Sequence, residues 1–114
     1  MLIETYESGK FQILRVKEKK NAIKNLEELK DLIIGYLERE KNYIAVSFSD
    51  ATYIYSGAIK ILISCHKMIN EKGGELCIIE PDPSLFDVLE NLNIDRVINI
   101  YVSEKYLPEQ PSSL

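Results

Sequence analysis

The stretch from Ile44 to Asn70 constrains the fold more than any other part of the chain. Ile44-Ala45-Val46-Ser47-Phe48 is a short apolar run of the kind an interior strand shows when both its faces are covered. Ser49-Asp50-Ala51-Thr52 then turns the chain, and Tyr53-Ile54 extends it briefly. From Ser56 to about Asn70 the apolar residues return at helical spacing, and Gly73 stands where a left-handed residue would end the helix. A strand, a short polar turn and a helix that packs back on the strand form the nucleus of an α/β domain. Ser56 is expected to be the N-cap of that helix. A helix start carries unpaired N–H groups and a partial positive charge. It therefore has two readings: a plain helix end, or a place where a phosphate is set or sensed.

The rest of the chain fits around this unit. Leu2 to Tyr6 and Phe11 to Val16 read as two short strands turning at Ser8-Gly9-Lys10, followed by a polar connection at 17–20. A helix capped by Asn21 is expected to run to about Glu40, burying Ile23, Leu26, Leu29, Ile33, Tyr36 and Leu37. Glu75 to Ile79 is a further apolar strand. Ser84 is expected to cap a short helix through Leu92 packed by Leu85, Val88, Leu89 and Leu92. Val97 to Tyr101 forms the last strand, and Ser103 to Leu107 has room for one helical turn. Strands alternating with helices predict parallel crossovers in the second half.

The charge balance bears on partners. Over 114 residues the net charge is -4, and the only basic run, at 17–20, contains Glu18. Nucleic acid, which calls for clustered Lys and Arg, is not an expected partner. The longest apolar segment, Ala58 to Cys65, is interrupted by Lys60 and Ser64 and is far too short to span a bilayer, so no membrane insertion is expected. Cys65 and Cys77 sit in apolar surroundings, and the opening residues are not expected to act as a signal peptide. The two cysteines read as buried free thiols in a cytoplasmic protein.

The second helix carries a core stripe at Ala58, Ile61, Leu62, Cys65 and Met68 or Ile69. Ile59 and Ile63 on its flank exceed what one buried face requires, and both or one of them are expected to be at least partly exposed. His66 lies next to Cys65, about 100° away around the helix, so the two cannot chelate one ion. It is also nearly three turns from Ser56, too far to act as its base, and reads as an exposed polar residue. Gly73-Gly74 lacks the lysine and hydroxyl of a phosphate loop. No catalytic, cofactor or metal site is expected, and the chain is not expected to be an enzyme.

Three pieces in order carry a resemblance: DATYIYSGAIKIL after the apolar strand, KGGEL before Cys77-Ile78-Ile79, and PSLFDVLENLNIDRVINIYVSEKYL. Together they make Tyr43 to Leu107 resemble the STAS domain, the fold of the bacterial anti-sigma factor antagonists. The resemblance implies an α/β, STAS-like sandwich with a mixed four- to five-stranded sheet and helices packed mainly on one face. It implies a single domain over residues 1–107, leaving 108–114 as a flexible tail. In that family the serine following an aspartate is phosphorylated by a partner that is both kinase and anti-sigma factor. Ser56 takes that place and Gly57 the following small residue, while Tyr55 stands where the family has its aspartate and Ala58 where it has a glycine. Lys17-Glu18-Lys19-Lys20 stands where the family has Gly-x-Leu-Asp after its second strand.

The expected function is that of a phosphorylation-switched antagonist. It would bind an anti-sigma factor/serine kinase through Tyr55, Ser56, Gly57, Ile59, Lys60 and Ile63, as a monomer or weak dimer. The alternative is a constitutive STAS scaffold, or an accessory subunit of a transport ATPase or stress-signalling assembly.

Overall fold

The structure, a computed structural model, describes residues 2–17 and 22–108. It opens with β1 (Leu2–Ser8) and β2 (Phe11–Lys17), an antiparallel hairpin. There follow β3 (Ala22–Ile23), α1 (Glu27–Glu38), β4 (Tyr43–Ser47), β5 (Tyr53–Ile54), α2 (Ser56–Glu71), β6 (Glu75–Ile79), α3 (Pro83–Asn91) and β7 (Asn99–Tyr101). Single 3₁₀ turns at Ile94–Arg96 and Glu104–Tyr106 flank β7. The main sheet is mixed and five-stranded, in the order β1-β2-β4-β6-β7. All its pairs beyond the first are parallel, and each crossover between them carries a helix.

The pleat separates two apolar clusters. Leu14, Val16, Ile44, Val46, Leu76 and Ile78 point to one face, where Leu29, Ile33, Leu62, Cys65, Ile69, Leu85 and Leu89 of the helices cover them. Phe11, Ile13, Ala45, Cys77 and Ile79 point to the other face and contribute no helix residue to their cluster. Tyr43, Tyr101 and Leu107 pack against them. The C-terminal 3₁₀ turn lies across this second face, where the Tyr6 hydroxyl donates to the Glu104 carboxylate. Arg15 donates to the Tyr6 oxygen at 3.1 Å and to Glu80 at 3.1 Å. With helices on one face only, the middle strands are still buried on both faces, which is why they read as continuous apolar runs.

Several boundaries differ from those expected. The cap assigned to Asn21 and the polar connection beyond Lys17 lie outside the described residues, as does the tail beyond Pro108. Ala22-Ile23 is not helical: it forms β3, which pairs in parallel with β5. Helix α1 begins six positions after Asn21, with the Glu27 N–H donating to Asn25 Oδ1 at 2.7 Å. Ile23 and Leu26 are buried as expected, but from the segment before the helix. Their spacing continues that of Leu29 and Ile33, so periodicity alone extends the helix too far toward the N-terminus.

Helix α3 is capped by Asp82, whose carboxylate accepts from the Ser84 N–H at 2.8 Å; Ser84 does not cap it. Leu92, expected in its core, is 52% exposed. The last strand starts at Asn99, because Ile94–Arg96 turns and leaves Val97 outward. Gly73 ends α2 in the left-handed conformation, with φ 79°, as expected. A Cβ on Gly74 would meet the Asn42 carbonyl oxygen at 1.8 Å, so only glycine lets β6 start beside β4.

Candidate functional site

The site is assembled where β5 gives way to α2. Ile54 is buried and anchors the approach, while Tyr53 and Tyr55, two residues apart on an extended segment, both turn outward. The Tyr55 N–H donates to the Ile23 carbonyl at 2.9 Å, extending the β3–β5 pairing up to the helix. Tyr55, with φ −84° and ψ 156°, is the residue that caps α2. Its carbonyl accepts from Ala58 and Ile59 at 3.0 and 3.1 Å, the first bonds of the helix. Ser56 is therefore the first helical residue and not the N-cap. No side chain makes a capping hydrogen bond here, and the first turn contains no acid. The positive end of the α2 dipole is thus left uncompensated by its own turn.

Ser56 and Gly57 are exposed, as is Lys60 one turn on. Ile63 is half-buried and lies almost in line with Ser56, about 10 Å up the axis. Of the two flank isoleucines Ile63 is the partly exposed one, as the expectation allowed, whereas Ile59 is only 8% exposed and belongs to the core; Ile61, assigned to the stripe, is half-buried. The buried face of α2, made by Ala58, Ile59, Leu62, Cys65 and Ile69, is rotated toward Ile59 and away from Ile61. Ser56, Gly57, Lys60, Ile63 and Tyr55 thus share one surface, and Ile59 supports it from beneath.

Two neighbours of this surface went unnoticed in the sequence. The Tyr53 ring meets Tyr55 edge-on, with centroids 5.3 Å apart and planes at 88°, and both rings are about half exposed. Lys24 Nζ lies 5.9 Å from the centre of the Tyr55 ring. The alternation of Tyr53 and Tyr55 was a usable signal for the first. Nothing in the sequence announces the second, because Lys24 arrives through the β3–β5 pairing.

The remaining reactive groups lie elsewhere. Burial raises the Cys65 thiol to about 11 and pushes the Cys77 thiol up further still, so both stay protonated. His66 is half-buried rather than exposed, with Nε2 3.2 Å from Asn70 Nδ2 one turn on. Among the described residues no cluster of His, Cys, Asp or Glu could hold a metal ion, and no helix is long and apolar enough to cross a membrane.

Comparison with known proteins places this geometry in a family. Residues 3–106 match the family model described as the STAS domain. An anti-sigma F factor antagonist of Paenibacillus polymyxa is 24% identical over 66 residues, covering 58% of this chain and 56% of that protein. The chain spans a little over half the length of the curated relatives it matches. An anti-sigma-factor antagonist (STAS) domain protein of Planctomyces limnophilus superposes with a TM-score of 0.77 at 15% identity, over 90% of this chain and 92% of the other. The phosphorylated form of the Bacillus cell fate determinant SpoIIAA superposes with a TM-score of 0.66 at 10% identity, over 91% and 94% of the two chains. At such identities the two structures speak for the fold.

Proposed function

The chain belongs to the STAS domain family, and from that premise we propose that it is an anti-sigma factor antagonist whose docking surface is switched by phosphorylation of Ser56. The observation that carries this reading is the free hydroxyl at the start of α2. Ser56 is exposed, makes no capping bond, and sits at a helix end with no acid in its first turn. A phosphate there brings close to two negative charges to a spot the helix dipole favours, so it would be held without unfolding anything. The same charge would oppose docking, because a partner covering this surface must strip water from it. The switch would act on affinity rather than on shape.

In its unphosphorylated state the surface would present Tyr55, Ser56, Gly57, Lys60 and Ile63 to an anti-sigma factor that is also the serine kinase, with Ile59 holding the helix in register. Tyr53 and Lys24 extend that surface, and paired aromatic rings are common anchors of protein interfaces. The protein would act in the cytoplasm, where the sigma factor and its regulators meet.

The Tyr55 ring favours a second reading. It stands half exposed beside Ser56, where the family has an aspartate, and its bulk and neutrality would change how a kinase grips the serine. A constitutive STAS scaffold would keep the aromatic surface and dispense with the phosphate. Reconstitution with the serine kinase encoded nearest the gene, plus ATP, separates the two. The switch requires one added phosphate by mass spectrometry, lost in Ser56→Ala, and weaker binding of the modified form. A chain that binds its partner while staying unphosphorylated supports the scaffold.

A further inference from the structure

The main sheet ends in two unequal edges. β7 is three residues long, while β1 is seven and, among the described residues, pairs with nothing on its outer side. Natural sheets guard long edges with Lys, Pro or a bulge. The β1 sequence, Leu-Ile-Glu-Thr-Tyr-Glu-Ser, has no Lys or Pro, and its pairing with β2 runs without interruption from Leu2↔Lys17 to Ser8↔Phe11. Its two charges are already balanced within the chain, Glu4 by Lys17 at 3.4 Å and Glu7 by Lys41 at 3.3 Å.

The hairpin turn determines which backbone groups of that edge are free. Only Gly9 and Lys10 separate the strands, and Gly9 takes φ 58°, as the first central residue of a type II′ turn does. Ser8 and Phe11 must then be a hydrogen-bonded pair, because the other ladder pattern would need a bond between the adjacent residues Gly9 and Lys10. Bonded and non-bonded pairs alternate from there, so Tyr6, Glu4 and Leu2 spend their N–H and C=O groups on β2. Ile3, Thr5 and Glu7 direct theirs outward, away from the sheet.

We propose that this edge is a self-association surface on which a second copy of the chain docks antiparallel, Thr5 against Thr5, joining two sheets into one. Centring the two-fold axis on Thr5 pairs every outward group, since Ile3 then meets Glu7 on either side of the Thr5 pair. It opposes no like charges: Glu4 faces Tyr6 and Glu7 faces Ile3. Centring on Glu4 would set Glu4 against Glu4. Centring on Tyr6 would leave Ile3 facing the turn at Gly9. Because antiparallel edge pairing uses an axis normal to the sheet, all helices stay on one face. The strands β4 of the two copies run in opposite directions, so the Ser56 surfaces lie at opposite ends and neither is covered. The assembly is therefore bivalent, and it stands independently of what docks at Ser56.

Three measurements on the full chain test this. Sedimentation should show the mass doubling as concentration rises, and Thr5→Pro should remain monomeric at every concentration with its fold intact, since it removes an outward N–H and no β1–β2 bond. Hydrogen exchange should show the amides of Ile3, Thr5 and Glu7 gaining protection with concentration, while those of Glu4 and Tyr6 are protected throughout. Under mild oxidation Thr5→Cys should cross-link, its opposed Cα atoms lying about 5.5 Å apart in such a pair and within disulfide reach. Glu4→Cys should not, and the native thiols are buried. A monomeric mass at all concentrations, a folded Thr5→Pro that still dimerises, or cross-linking through Glu4→Cys in place of Thr5→Cys would overturn the proposal.

Discussion

Replacing Ser56 with aspartate should raise the stability of the protein while weakening its partner complex. Tyr55, not Ser56, caps α2, and the Ser56 side chain makes no capping bond, so the substitution removes no helix hydrogen bond. It adds a carboxylate to the first turn of a helix that has none there. An exposed acid in that position contributes about 0.3–1 kcal/mol through the helix dipole, less in high salt. For a chain of this size that corresponds to roughly 1–5 °C in Tm. In the complex, the same charge loses its water and gains no partner, a situation that costs about 3–5 kcal/mol when it is fully enforced. Binding should therefore fall by a hundredfold or more. The Ser56→Ala control should change stability by no more than about 0.5 kcal/mol, where a capping serine would have cost about 1. Differential scanning calorimetry in low salt and titration calorimetry with the partner read the two effects. If Ser56→Asp lowers Tm, the helix end is not the uncompensated positive site described above. If it leaves affinity unchanged, the start of α2 lies outside the interface.

The two isoleucines beyond Ser56 should separate in the same assays: Ile59→Ala, emptying a core position, should cost about 2–4 kcal/mol in urea unfolding, whereas Ile63→Ala should cost about 1 kcal/mol or less and weaken the complex. Equal stability losses would show that Ile63 is core as well. Alkaline pH should unfold the protein in a predictable window. Burial holds the Cys65 proton more tightly in the folded chain, raising the thiol to about 11, so its contribution is complete below about pH 9. That contribution declines as pH climbs through 11, and Cys65→Ala, though less stable throughout, should show a shallower decline over that range in equilibrium unfolding. At the start of α3, Asp82→Ala should cost about 1 kcal/mol and Ser84→Ala clearly less, because the carboxylate of Asp82 makes the capping bond. The reverse order in thermal melts would return the cap to Ser84.

What the sequence by itself determined is the part of the molecule set by repeating local chemistry. β6 spans Glu75 to Ile79 as read, and the helix after Tyr55 ends at Glu71, close to the expected Asn70, with Gly73 left-handed just beyond it. A buried strand needs a run of apolar residues and a packed helix needs a stripe of them, so both leave a periodic trace. Ser56 was legible as the start of a helix for the same reason, although not as its first helical residue.

The tertiary structure decided whatever hangs on a single partner. Two residues cannot carry a period, so nothing local marks Ala22-Ile23 as a strand until Tyr53-Ile54 pairs with it, and only then does Lys24 stand beside Tyr55. The choice between Ile59 and Ile61 as core depends on how α2 rolls over the sheet, a few tens of degrees that apolar spacing does not resolve. Arg15 reads as part of the second strand, yet its partners Tyr6 and Glu80 come from chain on either side of β2, one from β1 and one from beyond β6. Periodicity records which side of an element faces a core; it holds no record of which other segment supplies that core, because that depends on contacts between residues far apart in the chain.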